Sequence, residues 1–144
     1  MDAIADSPTR PWTPPTGVAA ELLPAGVFWD AAIVPAYLGD RALARLGRES
    51  GAVIRDPYGH RLTWLVPPGT TAGWSIPETS WVQLLSVTQH VTVPPGWCTR
   101  SSFTHWVRGW DPHGLTDARL LYVVLDAVIR AEHGPRAHES GAGR

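Results

Sequence analysis

The run Val27-Phe28-Trp29-Asp30-Ala31-Ala32-Ile33-Val34 constrains this chain more than any other segment. Asp30 is its only polar member. A stretch without polar alternation reads as a central strand buried on both faces, not as one wetted along one side. Such a strand needs neighbours in a sheet and apolar cover, and the rest of the sequence offers both. Pro35 follows where a first helical residue would sit, with its φ already suitable. Leu38, Ala42, Leu43 and Leu46 then recur at helical spacing while Arg41, Arg45 and Arg48 point elsewhere, and Gly47 or Gly51 ends the helix. Residues 52–54 and 61–66 read as a hairpin around the turn Asp56-Pro57-Tyr58-Gly59. Pro67-Pro68-Gly69 stops the second strand. Residues 81–85 and 90–93 predict two further strands, closed by Pro94-Pro95-Gly96, and 103–107 a last one. Thr116 fits a helix N-cap with Asp117 in the first turn. Leu121, Val124, Leu125 and Val128 form the helix's apolar stripe, and Gly134 suits its C-terminal cap. The order β-α-β-β-β-β-(β)-α argues for an α+β fold, a small mixed or antiparallel twisted sheet with two main helices packed on it.

A chain of 144 residues suits one domain and buries enough surface to fold without staples. The body is expected at residues 21–132. Residues 1–20 carry Pro8, Pro11, Pro14 and Pro15 and read as a flexible arm whose Trp12 can dock on the body or on a partner. Residues 133–144 lack large apolar side chains and read as a disordered tail. Acids at Asp2 and Asp6 and the absence of a long apolar run argue against a signal peptide, and no apolar stretch reaches membrane-spanning length, so cytoplasmic residence without a membrane partner is expected. The formal net charge is −1, unlike the basic balance of a general nucleic-acid binder. All 12 basic residues are arginines, which excludes Schiff-base lysines and a P-loop lysine. Cys98 is the sole cysteine, which excludes an internal disulfide and a multi-thiolate zinc site.

The 8 tryptophans are the most distinctive resource. Trp29, Trp64 and Trp81 fall in predicted strands and read as packing. Trp74, Trp97 and Trp110 fall in Gly/Pro-rich loops, where packing and a ligand-facing role both stay open. The 6 histidines form no zinc-type pairing, and each reads as structural or surface, with His133 and His138 in the tail. Asp30 stands out because an ionised carboxylate in an apolar run must be paired, capped or functional. A functional acid, a partner of an arginine such as Arg61, and a turn cap are all open. Asp56 and Asp111 precede prolines and read as turn residues. Ser101-Ser102 has no supporting acid nearby in sequence, and no GxSxG elbow or Gly-rich phosphate loop is present.

Four segments in order, FWDAAIVPAYLGDRALARLG, RDPYGHRLTWLVPPG, HVTVPPGWCTRSSFTHW and HGLTDARLL, resemble the bifunctional DNA primase/polymerase domains of actinobacteria, within the archaeo-eukaryotic primase superfamily. The resemblance covers about residues 25–125 and implies an RRM-like primase-polymerase core. In that family an Asp-x-Asp strand holds divalent metals for nucleotidyl transfer. Asp30 matches the first acid, and Ala32 stands at the second. A histidine after a Gly-Gly turn contacts nucleotide phosphate; here Arg61 falls at that position and His60 one residue early, on the other strand face. Val93-Pro94-Pro95 resembles the later loop, and Trp106 matches its tryptophan strand. The resemblance therefore implies a non-catalytic module binding nucleotide, nucleic acid or a protein, its ligand residues Asp30, His60, Arg61, Trp64 and Trp106, to which the loop placement of Trp97 adds a further candidate. One alternative is a metal-dependent nucleotidyl-transfer or phosphate-ester enzyme with Mg²⁺ or Mn²⁺ on Asp30 and Asp111 as a second acid. The other is a protein-interaction module working through its Trp/Pro-rich surface.

Overall fold

The computed structural model describes residues 12–134. Among the described residues seven strands are present: β1 (Glu21–Pro24), β2 (Asp30–Pro35), β3 (Val53–Asp56), β4 (Arg61–Val66), β5 (Gln83–Leu85), β6 (His90–Val93) and β7 (His105–Arg108). Three helices accompany them: α1 (Ala36–Leu46), the short α2 (Trp110–His113) and α3 (Ala118–His133). The fold is α+β, as the segment order predicts.

Five strands form one sheet in the order β5-β2-β4-β3-β7, every neighbouring pair antiparallel. β2 and β3 therefore run parallel with β4 between them, and α1 connects them, which is a split β-α-β unit. Numbered by chain position, β2 to β5 lie in the order 4-1-3-2. The β4–β5 connection holds only two 3₁₀ turns, Thr70–Gly73 and Glu78–Ser80. The second helix on that face is instead the C-terminal α3.

The apolar run behaves as a central strand, but it begins later than expected. Residues 27–29 form a bend closed by Gly26 N–H to the Trp29 carbonyl (2.7 Å), and pairing starts at Asp30. Strand alternation then divides the side chains between two cores. Ala32 and Val34 of β2, Leu62, Trp64 and Val66 of β4, and Val53 of β3 face the helices, where they meet Leu38, Ala42 and Leu46 of α1 and Leu121, Leu125 and Val128 of α3. Ala31, Ile54, Leu65 and Trp106 face the other way, toward Trp29, Val91 and Val93. That second face is partly roofed by a ribbon of β1 and β6, paired antiparallel from Glu21↔Val93 to Pro24↔His90. β1 has no counterpart among the strands expected from sequence.

Two local readings shift. Asp117, not Thr116, caps α3, its Oδ1 accepting the Leu120 N–H at 2.9 Å. Thr116 is buried instead, its hydroxyl oxygen accepting the Gly51 N–H at 2.9 Å. At Gly51 the β7–α3 connection passes so close that a Cβ would stand 2.5 Å from the Gly114 carbonyl oxygen, so only glycine fits.

The segment expected as a flexible arm lies, over its described part 12–20, against the body. The Pro15 carbonyl accepts the Gly96 N–H (3.0 Å), and the Gly17 carbonyl accepts the Trp97 indole N–H (2.9 Å). His133, assigned by sequence to the tail, is the last residue of α3 and shares a 2.7 Å hydrogen bond with the Tyr37 hydroxyl. Residues 1–11 of the expected arm and 135–144 of the expected tail, His138 included, lie outside the described residues. Among the described residues no helix is long and apolar enough to cross a membrane.

Candidate ligand-binding groove

Asp30 is fully buried at the start of β2, and its carboxylate is engaged by protein donors. Oδ2 accepts the Gly69 N–H (2.9 Å), the Thr71 N–H (3.3 Å) and the Thr71 hydroxyl (2.8 Å), and Oδ1 accepts the Ser86 hydroxyl (2.8 Å). Gly69 and Thr71 lie early in the β4–β5 connection, and Ser86 directly follows β5. The carboxylate is thus a clamp on that connection, and of the three readings the sequence left open the turn-capping one fits. A metal ion on Asp30 would have to displace those donors. Among the described residues no group of three His, Cys, Asp or Glu side chains is placed to hold a metal. Asp111 stands exposed in α2. α2 follows β7, which lies three strand spacings, roughly 14 Å, from β2. The expected pairing of Asp30 with Asp111 on a metal is therefore not formed.

Nor do Asp30 and Arg61 share a hollow. Asp30 pairs with Val66 and Arg61 with Pro35, at opposite ends of the β2–β4 ladder, about 17 Å apart along the strand. They also point to opposite faces. Asp30 alternates with Ala32 and Val34 toward the helices, whereas Arg61 alternates with Thr63 and Leu65 on the other face. Trp64 goes with the helices, fully buried, its indole N–H on the Ser50 hydroxyl at 3.1 Å. Trp106 is buried on the far side, its N–H shared between the Pro94 (3.2 Å) and Pro95 (3.1 Å) carbonyls. Asp30 as a buried clamp and Trp64 and Trp106 as buried packing residues are all engaged by protein partners and line neither of the hollows described next, which corrects their placement in one pocket with His60 and Arg61.

His60 and Arg61 do come together with a set of residues that sequence reasoning missed. Two hollows meet at Arg61 and Gln83. The inner one, about 250 Å³, lies on the sheet face away from the helices and is lined by Asp56, Thr63, His90, Thr92 and Thr104 among others. The outer one, about 570 Å³, opens toward the start of α1 and is lined by Tyr37, Gly59, His60 and Trp81 as well as the shared pair. Arg61 donates to the Gln83 side-chain carbonyl at 3.3 Å and stands 3.9 Å from the Asp56 carboxylate, a loose hold that leaves guanidinium donors for an incoming anion.

The backbone singles out the same place. His60 (φ 55°) and Trp81 (φ 62°) are two of the three described non-glycine residues with left-handed backbone, and both line the outer hollow. Bulky side chains avoid that region, and such strain concentrates at binding sites. Trp81, expected from sequence inside a strand and packed, is instead 76% exposed at the end of a 3₁₀ turn. Gln83 opens β5, so the exposed ring and the amide are held two residues apart on one edge of the sheet. The hint available in sequence was the Ile76-Pro77 and Trp81 context, a proline-led turn too short to bury an indole.

Trp97, the remaining candidate, is 62% exposed in a separate trough with Val18, Arg100 and Phe103. Trp74 packs against Tyr122 of α3 (5.4 Å between rings), and Trp110 against Trp12 (4.8 Å). Cys98 is a buried free thiol. Comparison of the chain with models of protein families, with curated proteins and with solved structures finds no match.

Proposed function

We propose that this protein is a non-catalytic binding module whose groove, centred on Arg61 and Gln83, takes a nucleotide or the end of a nucleic-acid strand. The observation that carries the reading is the convergence of His60 and Trp81, both held in left-handed backbone, on the hollow that Arg61 lines. Arg61 offers a planar cation for phosphate. Trp81 offers an exposed ring on which a base stacks, and such stacking is worth about 1–3 kcal/mol per base. Gln83 offers an amide that both donates to and accepts from a base edge. The outer hollow, about 570 Å³, falls in the size range of small-ligand sites. The binding proposed places no metal on Asp30, whose carboxylate already accepts four protein donors. The 4-1-3-2 strand order is compatible with the resemblance to primase/polymerase domains, which stays part of this proposal. So do the DNA-binding reading and cytoplasmic residence, where nucleotides are available.

Isothermal calorimetry with nucleoside monophosphates and a short single-stranded oligonucleotide, with and without Mg²⁺, tests the reading. Saturable binding indifferent to Mg²⁺, weakened at least tenfold by Arg61→Ala and by Trp81→Gly, is the expected result. Absence of binding to every one of these ligands, or undiminished binding by Arg61→Ala, sinks it.

A further inference from the structure

The described part of the N-terminal segment is seated on the body in a recognisable manner. Residues 12–16 make no helix or strand. The Trp12 ring inserts edge-on against two others, 4.8 Å from Trp110 at 88° and 5.8 Å from Trp29 at 80°. Two of the segment's carbonyls, Pro15 and Gly17, receive the Gly96 N–H and the Trp97 indole N–H. Pro14 packs over Gly96. Ring, carbonyls and proline surface are the features by which aromatic-lined grooves hold extended proline-rich peptides, since proline has no N–H to contribute.

Two further observations mark this groove as one that can change occupant. Trp12, Pro14 and Pro15 are only half-buried, and residues 16–20 that join them to β1 are all exposed, so the segment is anchored mainly by the Trp12 ring, and an occupant that displaces it must cover Trp29 in its place. Trp29 lies beneath it, 1% exposed, and its indole N–H has no acceptor among the described residues. A peptide carbonyl placed there would satisfy a buried donor that the seated segment leaves unmet.

We infer that the groove bounded by Trp29, Trp110 and Gly96-Trp97 is a docking site for an extended, proline-flanked segment carrying an aromatic ring in a partner protein, and that Trp12–Gly17 is the intramolecular occupant which that partner displaces. The occupant's chemistry is read from the segment already seated: one ring, then two prolines, with carbonyls facing the body. The inference is independent of the nucleotide groove, which uses none of these residues.

A synthetic peptide with the sequence of residues 8–19 is the probe. Full-length protein bearing Trp12→Ala, its fold checked by circular dichroism, is expected to bind this peptide at least tenfold more tightly than wild type, and not to bind a peptide carrying the same substitution. Equal binding by both proteins, or none by the folded variant, overturns the proposal. Photo-crosslinking of wild type with the peptide bearing a benzophenone at the tryptophan position reads the same site without any variant. Crosslinks at Trp29, Trp110 or Trp97 are expected, and crosslinks confined to other surfaces count against it. Sedimentation of wild type over a hundredfold concentration range covers the rival occupant: a dimer abolished by Trp12→Ala assigns the groove to a second copy and removes the foreign partner.

Discussion

At the scale of single residues, Asp30 and Trp81 show how far a residue's type can mislead about its role. An acid in an apolar run was legible in sequence as an anomaly. Its donors were not, because Gly69, Thr71 and Ser86 lie 39 to 56 positions away and only the folded β4–β5 connection brings them in. Asp30→Ala removes both acceptors and leaves four buried donors facing no partner. Leaving buried donors unmet costs about 1–3 kcal/mol each, less whatever rearrangement recovers. Urea unfolding of Asp30→Ala is expected to show a loss of about 3 kcal/mol, and a loss under 1 kcal/mol would contradict the clamp. Trp81 gives the opposite signature. Glycine adopts its backbone freely, so Trp81→Gly is expected to keep or raise the melting temperature while it removes ligand binding. A fall of several degrees would show that the exposed ring supports the fold.

Among the elements, those with an unambiguous period were legible. The stripe of α3, the helix after Pro35 and the hairpin around Asp56 all form near their predicted bounds. The apolar run began three residues late because Gly26 turns the chain back on Trp29. β1, Glu21–Pro24, was unreadable: four residues ending in proline carry no alternation, and their order comes from pairing with β6, almost seventy positions on. The cap of α3 moved by one residue because Thr116 is recruited by Gly51 from the start of β3. That junction makes a firm prediction. Gly51→Ala drives a methyl into the Gly114 and Leu115 backbone, which cannot yield as a side chain end would. A destabilisation of about 2–3 kcal/mol is expected by thermal or urea unfolding, the upper range for overpacking. Stability equal to wild type would mean that β3 and the β7–α3 connection sit farther apart than described.

At the scale of the molecule, the described residues form a five-stranded sheet with a core on each face, one of them roofed by the β1–β6 ribbon. Ala31 and Ala32, adjacent in sequence and both fully buried, belong to different cores, so neither core can melt while the other keeps its wall. Unfolding is therefore expected to be a single transition. Far-UV circular dichroism, which follows α1 and α3, and tryptophan fluorescence, dominated by indoles on both faces, should give coincident urea midpoints. Separated midpoints would mean that the ribbon side opens by itself.

Tying the β4–β5 connection to Asp30 has a consequence for anyone who mutates this protein. Trp81 and Gln83 sit toward the far end of residues 67–85, the sixteen-residue connection together with β5, and the acid fastens that stretch near its beginning and at Ser86 just beyond its end. Unfastened, the span gains conformational freedom that a ligand would have to remove again. Replacement of Asp30 would thus depress ligand affinity from the opposite face of the sheet, and an assay of function alone would mistake a distant tether for a residue in contact.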